Sequence, residues 1–66
     1  MRILLNGESF ELAEPASVAD LLARLDLLER RVAVELNLEI VPRSAHAGTL
    51  LREGDRVEVV RAIGGG

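Results

Sequence analysis

The chain of 66 residues ends in Gly64-Gly65-Gly66, set directly after an apolar run with no linker between them. Three residues without a Cβ make a backbone thin enough for a channel closed to branched side chains, and free to take dihedrals those side chains forbid. Fully extended, they reach roughly 10 Å at about 3.3–3.6 Å per residue. Such an end offers a carboxylate on a thin stalk, so its chemistry is acyl chemistry performed by another protein. Gly66 is the candidate carboxylate to be presented, and Gly64 and Gly65 are the candidate tail that carries it. A loose domain terminus can share this composition, so the rest of the sequence has to separate the two readings.

No competing constellation emerges. The chain has no cysteine, which excludes disulfides, thiolate metal sites and a cysteine nucleophile. His46 is the only histidine and has no second histidine or cysteine near it at metal-ligand spacing, so it reads as a surface or loop-packing residue and no metal site is expected. Glu11, Glu14, Asp20, Asp26 and Glu29 are scattered acids of the kind that solvate hairpin and helix surfaces, and no catalytic residue is assigned. Arg30-Arg31 reads as a charge pair at a helix C-terminus, with an acidic partner surface as the alternative. All eight cations are arginine, so lysine-linked chains of this protein on itself cannot form.

The net charge of −3 and the single aromatic, Phe10, argue against nucleic acid, which calls for a basic face and stacking platforms. Ile3-Leu4-Leu5 is too short an apolar run for a signal peptide or a membrane span, so a soluble, cytoplasmic protein is expected. At this length the chain is a single domain that buries about 60% of its unfolded surface, too small for a deep enzyme pocket. A body over residues 1–63 and a tail over 64–66 are the expected divisions.

The elements that must position the tail follow from periodicity. Arg2 to Asn6 and Ser9 to Ala13 flank Asn6-Gly7, a pair suited to a type I′ turn, and give a hairpin with Ile3, Leu5, Phe10 and Leu12 as candidates for its buried face. Ser17 and Asp20 resemble a capping box. Val18, Leu21, Leu22, Leu25 and Leu28 then form one helical stripe, with the helix end placed between Asp26 and Arg30. Val32 to Leu36 alternates as a half-buried strand, Asn37 begins a turn, and Glu39-Ile40-Val41 is an edge strand ended by Pro42. Ser44-Ala45-His46 can make one helical turn closed by Gly48. Glu53-Gly54-Asp55 turns into the last strand, Arg56 to Ile63, with Val57 and Val59 on one face and Glu58, Val60 and Ala62 on the other. An α+β domain with one helix across a mixed sheet accommodates every segment.

Asn37, Val41-Pro42-Arg43, the run Leu51-Arg52-Glu53-Gly54-Asp55-Arg56-Val57-Glu58 and the glycine terminus together resemble the ThiS family, the small sulfur carriers of thiamin biosynthesis, over the whole chain. The family motif is a terminal Gly-Gly; here Gly64 is an extra residue before that pair and alters the spacing from body to carboxylate. The small subunit of molybdopterin synthase shares the ending, but its proline-containing segment before the glycines has no counterpart in Arg61-Ala62-Ile63.

The resemblance implies a β-grasp, ubiquitin-like fold of four to five strands, with first and last strands central and parallel. It also implies that the chain is not an enzyme but a co-substrate. An E1-like, ThiF-like adenylating enzyme would use ATP and magnesium to activate Gly66, with no cofactor bound to the chain itself. A sulfur donor such as a cysteine desulfurase would supply sulfur, and a ThiG-like thiazole synthase would accept it. If first and last strands pair, Leu4, Val60, Ala62 and Ile63 share the face away from the helix and form a partner-binding patch beside the tail. The alternatives are a ubiquitin-like protein modifier or binding module, and a carrier delivering sulfur to molybdopterin, cysteine or tRNA.

Overall fold

The computed structural model describes residues 1–61, so the expectations for Ala62, Ile63 and Gly64 to Gly66, and the boundary after Ile63, lie outside the described residues. In chain order the elements are β1 (Arg2–Leu5), β2 (Glu8–Glu11), α1 (Val18–Arg24), β3 (Val32–Leu36), β4 (Glu39–Val41), a 3-10 turn (Arg43–Ala45) and β5 (Arg56–Arg61). The five strands form one mixed sheet in the order β2-β1-β5-β3-β4. β1 and β5 are parallel and every other neighbouring pair is antiparallel. The last strand therefore lies at the centre, inserted between two hairpins, in line with the expected pairing of first and last strands.

Local chemistry accounts for the first half. Asn6 and Gly7 take φ of 50° and 84°, the two positive values that a type I′ turn requires, and the register that follows sets Ile3 against Phe10 and Arg2 against Glu11. The Arg2 Nε and a Glu11 carboxylate oxygen meet at 2.9 Å across this exposed pair. Ser17 then caps the helix. Its hydroxyl accepts from the Asp20 N–H at 3.0 Å, and the Asp20 carboxylate accepts from the Ser17 N–H at 2.8 Å, so aspartate completes the box as glutamate would.

The helix ends earlier than expected. It stops at Arg24 with Leu25 as C-cap, because Asp26 turns to φ 62°. The Asp26 N–H then donates to the Ala23 carbonyl and the Leu27 N–H to the Leu22 carbonyl, the 5→2 and 6→1 pair of a Schellman motif. Aspartate takes the left-handed position usually held by glycine, which is why the sequence carried no stop signal. Leu28 consequently lies beyond the helix and is 52% exposed, not the last residue of its apolar stripe.

The core sits between α1 and the inner face of the sheet. Val18, Leu21 and Leu22 from the helix meet Ile3, Val34 and Val57 from the three central strands, with Leu12, Ala16 and Leu51 closing the sides. Leu5, Phe10, Val32, Leu36 and Val59 pack against this cluster. The segment 42–51 holds the helix from the other side. The Val18 N–H donates to the Thr49 carbonyl, the Ala19 N–H to the His46 carbonyl and the Leu51 N–H to the Ala16 carbonyl. No helix among the described residues is long and apolar enough to cross a membrane.

Candidate functional site

The functional question is how β5 leaves the body, since it leads to the residues that could do chemistry. Two asparagines hold it, one from each flanking hairpin. Asn37 takes φ 52° at the tip of the β3–β4 hairpin; its side-chain oxygen accepts from the Arg56 N–H at 3.0 Å, and its amide donates to Asp55 Oδ1 at 3.1 Å. The other oxygen of Asp55 accepts from the Arg52 N–H at 2.7 Å. With Gly54 at φ 84° and the Asp55 N–H donating to the Arg52 carbonyl, this is a type II turn that delivers the chain into β5.

Asn6 holds the other end. β1 pairs with β5 only as far as Leu5 opposite Val57. The side chain of Asn6 then does what a further strand residue would do: its oxygen accepts from the Val59 N–H at 2.8 Å and its amide donates to the Val59 carbonyl at 3.2 Å. Past Val59 the strand is paired on one side alone among the described residues, by β3, with Ala33 opposite Val60 and Val32 opposite Arg61. Arg61 is thus carried to the end of the body on a half-open strand.

The residues expected to bind partners fall on the outer face of the sheet. Leu4 is 42% exposed and Val60 62%. They share this face, but Leu4 stands beside Arg56 and Val60 lies four strand positions further on, roughly 13 Å away at about 3.3 Å per residue. Between them the face carries Glu58, set opposite Glu35, whose other neighbour is Ile40. The outer surface therefore has two apolar spots, Leu4 with Leu38 bordering one shallow pocket, and Val60 with Ala33 nearest the exit of β5, separated by charged side chains. Ala62 and Ile63, like Gly64, Gly65 and Gly66, fall outside the described residues.

His46 is a packing residue. It is 8% exposed, its ring Nε2 lies 3.0 Å from the Val41 carbonyl, and since a carbonyl can only accept, that nitrogen carries the proton. Its backbone binds Ala19 of the helix, so it joins helix to β4. Among the described residues, no group of three or more histidine, cysteine, aspartate or glutamate side chains is arranged to hold a metal ion. The sequence reading missed Asn6 and Asn37 as clamps on β5. Their type at hairpin tips pointed to turns, but nothing local said which strand their side chains would meet.

A sequence model of the ThiS family matches residues 3–66. The chain is 33% identical over 66 residues to the sulfur carrier protein ThiS of Escherichia coli, each chain being covered in full. It is 44% identical over 66 residues to a thiazole synthase of Paramagnetospirillum magneticum, of whose length it spans 20%. Among solved structures it is similar to the thiamine biosynthesis protein ThiS of Geobacter metallireducens, with a TM-score of 0.85, 36% identity and full coverage of both chains. With a clamped central strand leading to a glycine terminus, and with sequence and fold matching along the whole length, the chain belongs to the ThiS family.

Proposed function

We propose that this ThiS-family chain is a sulfur carrier for thiamin biosynthesis, with Gly66 as the site of activation and sulfur loading and residues 64–66 as the tail that reaches into partner active sites. The observation that carries the reading is the family match over residues 3–66, which includes the glycine terminus, on a fold that brings its central strand to that end. A carboxylate is ionised at neutral pH and would have to expel oxide, so it is a poor acyl donor. An E1-like adenylating enzyme overcomes this by attaching the carboxylate oxygen to the α-phosphorus of ATP with release of pyrophosphate, magnesium offsetting the phosphate charge. Bisulfide then adds to the acyl carbon and expels AMP, leaving a thiocarboxylate. With a persulfide donor, such as that formed on a cysteine desulfurase, a thiol must also cleave the S–S bond.

The acceptor we infer is a thiazole synthase, because relatives of this chain form one polypeptide with one. In this role the chain contributes an acyl group and a docking body, and its partners contribute the catalysis. The outer-face residues Leu4 and Val60, with Ala62 and Ile63, are proposed as docking residues, Leu4 and Val60 in two separate spots. Intact mass of protein recovered from cells tests the reading: exchange of one terminal oxygen for sulfur is expected, whereas an isopeptide-linked adduct would identify a protein modifier instead. Deleting Gly65-Gly66 should abolish ATP–pyrophosphate exchange by the adenylating enzyme while the circular-dichroism spectrum and melting temperature stay unchanged, since the buried core of the described residues lies within residues 3–57.

A further inference from the structure

Beside the exit of β5, three arginines from two separate segments converge on one depression. Arg30 and Arg31 precede β3 and Arg43 opens the 3-10 turn after β4; together with Leu22, Val32 and His46 they line a pocket of about 410 Å³. Val32 is the residue opposite Arg61, so the pocket lies at the end of the molecule where the described chain stops. No acidic side chain lines it among the described residues. Asp26 and Glu29 border Arg30 in the neighbouring depression, yet neither forms an ion pair with it among the described residues. The floor is apolar, with buried Leu22 and half-buried Val32, and Leu28 stands exposed at the rim.

Guanidinium groups present planar forks that match carboxylates in pairs of parallel hydrogen bonds. A basic pocket on a chain of net charge −3 also steers an approaching anionic group to one place. A small inorganic anion would use the arginines and leave the apolar floor in water. A protein segment with a carboxylate beside an aliphatic or aromatic side chain uses both.

We propose that the pocket bordered by Arg30 and Arg43 receives a carboxylate-bearing, apolar-anchored segment of the thiazole synthase, and so orients the carrier about the axis of β5. The choice of occupant rests on the carrier function proposed above. The outer-face residues fix one side of the body. A contact around the corner, beside Val32, fixes the tilt that contacts on the outer face alone leave free.

The test is titration of the thiazole synthase with the full-length carrier at low and moderate salt, comparing wild type, Arg30→Glu/Arg43→Glu and Arg30→Lys/Arg43→Lys. Both arginines are exposed, and unchanged melting temperatures verify folding. Charge reversal should weaken binding about tenfold or more and flatten the salt dependence, while the lysine pair should keep the salt dependence and lose part of the affinity. Equal affinity and equal salt dependence for wild type and the reversed variant overturn the proposal and leave the carrier reading standing. The proposal fails in the same way if reversal weakens the adenylating enzyme's binding but not the synthase's. A wild-type carrier that binds the adenylating enzyme but never the synthase overturns the choice of acceptor, and this proposal with it.

Discussion

Asn6 performs two tasks that different residues could each perform only in part. Its backbone accepts φ 50°, which favours asparagine, aspartate or glycine, and its amide satisfies both backbone groups of Val59. Asn6→Gly keeps the turn and removes the clamp. It should destabilise the protein by about 1–2 kcal/mol, two hydrogen bonds at roughly 0.5–1.5 kcal/mol each less a relief of backbone strain. Asn6→Asp keeps the acceptor for the Val59 N–H but turns a second oxygen toward the Val59 carbonyl, so it should also lose stability. In Asn6→Gly amide hydrogen exchange at Val59 should speed up more than at Val34, on the neighbouring strand. Uniform acceleration would mean that the turn, not the clamp, is what Asn6 supplies. Ser17 is simpler: Ser17→Ala breaks the capping box and should cost about 1 kcal/mol in denaturant unfolding.

The short connections between elements carry the backbone strain. Asp26 ends α1 at φ 62° and Leu38 tips the β3–β4 hairpin at φ 74°. Leucine has no local hydrogen bond to offset the left-handed conformation, and with 68% exposure little packing to lose. Leu38→Gly should therefore stabilise the fold by up to about 1 kcal/mol, read as a shift of the urea midpoint at constant slope. A drop in stability would show that contacts of Leu38 near Leu4 outweigh the strain.

At the scale of the molecule, the core is small and each large residue in it matters. A chain of this length has a total stability of roughly 3–10 kcal/mol, at 0.05–0.15 kcal/mol per residue. Leu21, fully buried between α1 and the sheet, should lose about 2–5 kcal/mol as alanine, enough to leave part of the population unfolded at physiological temperature. The outer face behaves in the opposite way. Leu4→Asp and Val60→Asp should leave the melting temperature nearly unchanged and weaken binding to the adenylating enzyme or the thiazole synthase. Because the two sites lie roughly 13 Å apart with charged side chains between them, their effects on binding free energy should add within about 0.5 kcal/mol. Strong non-additivity in a double variant would instead indicate one contiguous apolar patch.

How much of this was legible in the sequence depends on the range of the interaction responsible. The Asn6-Gly7 turn, the Ser17–Asp20 box, the alternating strands and the helical stripe through Leu25 are set by neighbours within a few residues, and each stands where its residues placed it. The helix end was not legible, because an aspartate adopted the conformation that normally announces itself through glycine, held there by the packing of Leu27 on the core. Nor did local spacing reveal that Asn6 and Asn37 would each clamp β5, 53 and 19 residues away in sequence. The glycine terminus and the family it belongs to are properties of the sequence by itself. The separation of Leu4 from Val60 is decided by the pairing of β1 with β5, and the meeting of Arg30 and Arg31 with Arg43 by the pairing of β3 with β4, since strand register, which no single segment encodes, sets which side chains become neighbours.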